Sequence, residues 1–368
     1  MEHEAASAVI TGIGTALPRG SMTQQDAAES AVLRCCETDK QQHLLATLYR
    51  RTLIERRGSV LLDPNRRNGS RHGFYPAPTG RSDQGPSTAQ RMDRYAQEAP
   101  PLAGRACQKA LNHAGVPPAR VTHLVTVSCT GFAAPGVDLD LVTRLRLPAT
   151  TQRVNVGYMG CHGAVNGLRV AAALAACDRE ARVLLCAVEL CSLHFQYGWD
   201  RRNILANALF ADGAAAVVIE ASAGRTEAMW RVAATGSILM PDSADAMTWR
   251  IGDHGFEMTL SSGVPDLINR QLRPWMRQWL GTQDLSVDTI GSWAVHPGGP
   301  RILSAVEEAL GICRSCTAAS RRVLRDSGNM SSPTMLFILD QLRRSGAPRP
   351  VVAMGFGPGL VAEAALLR

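Results

Sequence analysis

Twice along its 368 residues the chain runs through one succession, in which short apolar, β-branched segments alternate with longer stretches of helical periodicity. In the first half the strand-like runs are AVITGIGTAL, HLVTVSCTG, RVLLCAVELCS and AAAVVIEAS, with a polar helical stretch from Gln24 to Arg57. In the second they are RVAATGSIL, TIGSWAVHPGG and RPVVAMGFGPGLVAEAALL, with helices over Pro300 to Leu310 and in SSPTMLFILDQLRRSG. Runs this apolar have no solvent face, so the pattern predicts a mostly parallel, buried sheet with helices on both sides. Small and polar residues break the pattern at ASAGRTE, Ala221 to Glu227, which divides the chain into two similar α/β halves, 1–222 and 223–368.

Apolar residues make up 45% and charged residues 19%, which excludes a disordered or fibrous chain. No run approaches the roughly 18 apolar residues that span a bilayer. The start MEHEAASAV lacks a basic region followed by an apolar one, so a cytoplasmic location is expected. The ten cysteines are scattered and read as reduced thiols. Cys313 and Cys316 form a C-x-x-C pair with no second pair to complete a zinc site, so no metal is expected. The net charge of +7 suits phosphate-bearing ligands such as coenzyme A, or acidic carrier proteins, and no nucleic-acid module is present. Asp63 to Gln90, rich in Arg, Gly, Pro and Ser, reads as a solvated loop.

In VNVGYMGCHGAVNGLRVAAALAA, a strand-like run turns through Gly157 and Gly160 and passes Cys161 into an Ala/Leu-rich helix. A cysteine at a helix start meets unpaired N–H groups and the positive dipole end, both of which favour the nucleophilic thiolate. Alone, Cys161 reads first as a small buried residue filling a turn. His296 ends a strand-like run in WAVHPGGPR, and Asn329 lies at a turn into a helix in DSGNMSSPT. Singly they read as a structural histidine and a helix cap. Together the three offer a nucleophile, an imidazole that favours a thiolate–imidazolium pair, and N–H donors for an enolate or tetrahedral oxyanion.

At the level of whole motifs the chain resembles the type III polyketide synthases, the family of chalcone and stilbene synthases. The resemblance rests on MGCHGAVNGLR, ALFADGAAAVVI, WAVHPGGPRIL, GNMSS and GFGPG, in that order over nearly the whole chain. It implies a thiolase fold, five αβαβα layers built from the two halves, in a homodimer. It also implies that Cys161 accepts the acyl group while His296 and Asn329 promote decarboxylation of malonyl-CoA, with no cofactor beyond the coenzyme A thioesters. Phe210 matches an aromatic gatekeeper, and Met258 stands where the family usually has a second phenylalanine. A flexible thioether there either opens space for a longer starter or is plain packing. Further pocket-lining positions implied are Cys129, Cys191, His194 and Ser331, with Ala134 reaching into the partner's cavity. The small apolar residues imply a wider, apolar tunnel, which His194 would narrow or polarise in one arm. Of the basic positions that grip coenzyme A in plant members, Arg51 matches one, whereas Leu44 and Thr47 occupy two others. Either Arg50 or the Arg66 to Arg71 loop compensates, or the starter arrives on an acyl carrier protein.

The expected activity is therefore iterative condensation of malonyl-CoA onto a fatty acyl starter held on Cys161, closing to an alkylresorcinol or alkylpyrone. The alternatives are a small or aromatic starter giving a chalcone-, stilbene- or naphthol-like product, a ketoacyl synthase that condenses once, a cysteine hydrolase, or a non-catalytic scaffold.

Overall fold

The computed structural model describes residues 7–63, 73–222 and 229–368. Its strands are β1 (Ala8–Ala16), β2 (Ser21–Thr23), β3 (Arg56–Gly58), β4 (His123–Ser128), β5 (Gln152–Gly157), β6 (Arg182–Leu190), β7 (Asp212–Ala221), β8 (Trp230–Leu239), β9 (Met247–Gly252), β10 (Gly255–Leu260), β11 (Ser292–Val295), β12 (Val351–Gly357) and β13 (Val361–Leu367). The helices are α1 (Gln24–Cys35), α2 (Asp39–Arg51), α3 (Thr88–Ala114), α4 (Val137–Leu145), α5 (Gly163–Cys177), α6 (Arg201–Leu209), α7 (Val264–Gly281), α8 (Pro300–Leu310), α9 (Ala318–Ser327) and α10 (Pro333–Arg344). Local chemistry sets several boundaries. The stretch expected as one helix from Gln24 to Arg57 is two, because Thr38 and Gln41 form a second capping box after the first, at Thr23 and Asp26. It ends at Arg51, and Arg56 to Gly58 pair with β2 instead.

Nine strands join in the order β11-β12-β13-β8-β1-β7-β6-β4-β5. The two halves meet at its centre, where Ala8 to Ile10 pair with Val232 to Trp230. The sheet is mixed, which corrects the mostly parallel expectation: β4–β5, β4–β6 and β11–β12 run parallel, while the other neighbours run antiparallel. Only Pro358, Gly359 and Leu360 separate β12 from β13, far too short for the crossover that a parallel pair needs. Strands buried on both faces are continuously apolar in either direction, so hydropathy alone could not have told the two apart.

The layers follow from the three main cores. α3 and α4 cover the outer face of the first half through Tyr95, Leu102 and Leu141 against Leu124 and Leu184. α7 and α8 cover the second through Ile268, Leu272 and Val306 against Val352 and Leu366. Between the halves, α5 and α10 bring Leu168, Leu336 and Leu339 against strands of both, Val125 and Val217 on one side and Val351 and Ala365 on the other. The result is the αβαβα arrangement of the thiolase fold. Truncating Leu339, which is 1% exposed, to alanine would cost about 2–5 kcal/mol. This middle layer matters most for function because its two helices begin beside Cys161 and Asn329. Among the described residues no helix is long and apolar enough to cross a membrane.

Candidate active site

Cys161 sits in a single 3-10 turn, Gly160–His162, between β5 and α5. The turn is tight: Tyr158 adopts φ 62° and Gly160 φ 71°, and a Cβ on Gly160 would lie 2.5 Å from Pro358. A left-handed tyrosine is an uncommon, strained conformation that its surroundings must hold in place. α5 itself packs closely on the sheet, since a Cβ on Gly167 would lie 2.7 Å from Val127. Asn329 and Ser331 enter from the second half, just before α10. Asn329 is fixed by its backbone, whose N–H donates to Leu209 O at 3.0 Å and whose carbonyl accepts from Ala211 N at 2.8 Å. Its Oδ1 accepts from Ser331 N at 2.8 Å, which leaves the Asn329 amide nitrogen free to donate elsewhere. The Ser331 and Asn329 side chains lie close enough to Cys161 to favour its thiolate.

His296 follows β11, and its N–H donates to Met354 O at 2.8 Å. It is 1% exposed, and neither ring nitrogen has a hydrogen-bond partner. A Cβ at Gly355 would stand 3.3 Å from His162 and 3.4 Å from the His296 Cβ. One strip of glycine backbone thus separates His296 from the turn that carries Cys161.

Burial works against the expected thiolate–imidazolium pair, and the two groups must stabilise each other's charge for it to form. Burial pushes the Cys161 thiol up to about 12, despite the lowering effect of the Ser331 and Asn329 hydrogen bonds. Burial, with His162 nearby, holds His296 down at about 3. Taken one at a time, each group loses hydration that favours its neutral form, against the helix start of α5 and the neighbouring donors that favour the thiolate.

Glu189, fully buried at the end of β6, was missed by the sequence reading. Its carboxylate accepts from Cys129 N at 3.0 Å, Thr130 Oγ1 at 2.7 Å, Ser332 Oγ at 2.8 Å and Cys129 Sγ at 3.3 Å. Burial raises its pKa, and its charge in turn raises the Cys161 thiol. The signal was present, a lone carboxylate in the apolar run RVLLCAVEL, where an acid must find partners to be tolerated.

Two cavities meet here. One, about 30 Å³, lies against Cys161, Cys129 and Ser331. The other, about 110 Å³ and mainly apolar, runs past Ala27, Leu61, Leu62, Tyr75 and Phe195. Both are walled by Cys191, Phe210, Trp249 and Met258. Trp249 and Met258 are direct cross-strand neighbours on the β9–β10 hairpin, and Trp249 Nε1 donates to Cys129 O at 2.8 Å. Trp249 was also missed, because the gatekeeper reading covered only Phe210 and Met258. It corrects the expected wide tunnel: space beside Cys161 is small, and most of the room lies behind the indole.

His194 lines the larger cavity, and its polarity is already spent. Nε2 donates to Thr130 O at 2.7 Å, Nδ1 accepts from Phe256 N at 2.9 Å, and the ring stacks on Phe256 at 4.2 Å. Burial pushes it down to about 3, so it narrows the pocket as a neutral ring. Ala134 lies on the surface near Phe132, which is 42% exposed, and outside both cavities. Arg51 is exposed at the end of α2, also outside both. Arg50 donates to Thr47 at 3.2 Å, and Arg66 to Arg71 fall outside the described residues.

Known proteins match this chain end to end. The profile described as chalcone and stilbene synthases, N-terminal domain, covers residues 1–223, and that of the C-terminal domain covers 231–368. The chain is 36% identical over 367 residues to a 1,3,6,8-tetrahydroxynaphthalene synthase of Streptomyces peucetius subsp. caesius, spanning 98% of this chain and 92% of that one. It is 31% identical over 368 residues to the alpha-pyrone synthesis polyketide synthase-like Pks18 of Mycobacterium tuberculosis, spanning 98% and 90%. Among solved structures, PKS-I from the brown alga Ectocarpus siliculosus superposes with a TM-score of 0.93 at 29% identity, each chain covered in full. With both family domains matched in order and the thiolase fold in place, the chain belongs to the chalcone and stilbene synthases and is a type III polyketide synthase, an acyltransferase of coenzyme A thioesters.

Proposed function

We propose that the enzyme loads a fatty acyl starter on Cys161, extends it repeatedly with malonyl-CoA, and closes the chain to an alkylresorcinol or alkylpyrone. The observation that carries the starter is the apolar cavity of about 110 Å³ sharing the Phe210, Trp249 and Met258 wall with the cavity at Cys161. An alkyl tail suits a chamber whose accessible lining is mainly apolar, although Arg34, Gln196 and Asn203 also reach its wall.

In this reading the Cys161 proton leaves as the sulfur attacks the incoming thioester carbonyl. His296, whose two ring nitrogens have no hydrogen-bond partner, takes that proton, the imidazolium and the thiolate stabilising each other as they form. Coenzyme A departs as the thiol. Malonyl thioester then loses CO₂, and the resulting enolate oxygen is held by N–H donors of His296 and Asn329. The enolate carbon attacks the acyl-Cys161 carbonyl, which frees the sulfur and returns a chain longer by two carbons. Arg51 contributes to coenzyme A binding, and an acyl carrier protein is an alternative donor. A homodimer is supported by the open edge of β5, with Val154 and Met159 exposed near Ala134.

A second reading takes a small or aromatic starter. It is favoured by the 30 Å³ left beside Cys161 and by the hydrogen bond that pins Trp249 across the way out. The relative named a tetrahydroxynaphthalene synthase points the same way. Product analysis with malonyl-CoA and a starter series from acetyl- to palmitoyl-CoA, with coumaroyl-CoA, separates them. Multiply extended cyclic products from long chains are expected. Products from short or aromatic starters alone would replace the fatty acyl reading with the second.

A further inference from the structure

Far from the cavities, the C-x-x-C pair lies on the surface between α8 and α9. Cys313 is exposed and Cys316 half-buried, the latter packed against the core under α7 and α8. Their sulfurs are 2.8 Å apart, and Cys316 N donates to Cys313 O at 2.9 Å, closing the turn that holds them together. Ser315 Oγ lies 2.9 Å from the Cys313 sulfur. Thr317 and Arg321 both bind Glu307 of α8, with Arg321 Nη2 at 2.6 Å, so the turn is stitched to a rigid helix. Neither sulfur contributes to either cavity, and the reaction of the family has no use for them.

We propose that Cys313 and Cys316 form a redox-active dithiol, which a peroxide converts to an intramolecular disulfide and a dithiol reductant restores. The Cys313 thiolate attacks one oxygen of the peroxide; the O–O bond breaks, sulfur is oxidised to sulfenic acid, and the other oxygen leaves as water after taking a proton. The Cys316 sulfur then attacks the sulfenic sulfur, the S–O bond breaks, a second water leaves, and the S–S bond forms. Two thiols and one hydrogen peroxide give one disulfide and two waters.

Reactivity follows thiolate content and access, and both favour this site over the active site. Hydrogen bonds from Cys316 and Ser315 bring Cys313 down to about 7, while burial holds Cys161 up at about 12. Cys313 is exposed whereas Cys161 is half-buried against a cavity of about 30 Å³, so an oxidant reaches the surface pair first.

Arg314 makes the test specific, because trypsin cuts between the two cysteines and yields ILSAVEEALGICR and SCTAASR. Full-length protein is treated with one equivalent of hydrogen peroxide at pH 7, alkylated, digested and analysed by mass spectrometry. The two peptides should appear joined, separate again after dithiothreitol, and leave the Cys161 peptide alkylated as in untreated enzyme. In the Cys316→Ser variant, Cys313 should stop at sulfenic acid and be captured by dimedone. Two free alkylated peptides in the wild type, or Cys161 oxidised ahead of Cys313, would overturn the proposal, as would a Cys316→Ser protein that dimedone does not label.

Discussion

The two cavities that meet at Phe210, Trp249 and Met258 differ in size and in lining. The one at Cys161 is small and backed by buried polar groups, the Glu189 network and Asn329, all tied to backbone or to one another. The larger one is mainly apolar, and its one imidazole, His194, has no hydrogen-bonding capacity left to offer. The contrast separates two tasks. Fixed donors around a tight space suit charge that develops in a reaction, where preorganisation is worth most, and an apolar chamber suits selection by size and hydrophobicity. The wall between them is where one task is coupled to the other.

Breaking the chemical side should give the largest effects. Cys161→Ala is expected to abolish acyl loading and all product, measured by incorporation of radiolabelled malonyl-CoA into extractable polyketide. His296→Ala and Asn329→Ala should each slow release of CO₂ from malonyl-CoA by about 10² to 10³, the usual loss for one oxyanion donor. Unchanged decarboxylation in both variants would move the enolate elsewhere. At the wall, Trp249→Ala should merge the two cavities and shift kcat/KM toward long acyl-CoA starters by on the order of 10-fold. An unaltered chain-length profile would mean that the tail does not pass the indole.

Acid should separate the two sides through one histidine in each. His194 and His296 sit at about 3 when folded, against an ordinary value of 6.5. Between those values the unfolded chain binds protons that the folded chain refuses, so stability falls as pH drops below 6.5. By pH 5.5 each histidine should cost on the order of 1 kcal/mol, read from urea unfolding. His194→Gln should remove one proton from that pH dependence. The smallest effect expected is from Met258→Phe, a few-fold shift toward shorter starters. A profile that does not move would make Met258 simple packing.

Much of the polar chemistry was legible because each residue stood at the break between a strand-like run and a helix: Cys161 before α5, His296 after β11, Asn329 before α10. The alternation of elements likewise announced two α/β halves. Strand direction was not legible, since runs such as AAAVVIE are apolar on both faces whichever way they pair. Trp249 escaped notice because its effect depends on register: only the pairing of β9 with β10 sets it opposite Met258. The environment of Cys161 and His296 was only half legible for a related reason, as the local sequence displays the helix start but not the burial that opposes charge there.

The most direct test of the account is intact-protein mass spectrometry of the purified enzyme incubated with palmitoyl-CoA alone. One palmitoyl group should be added per chain, mapped to Cys161, absent from Cys161→Ala, and consumed when malonyl-CoA follows. No adduct, or an adduct on Cys129 or Cys191 that persists in Cys161→Ala, would contradict a fatty acyl starter carried on Cys161.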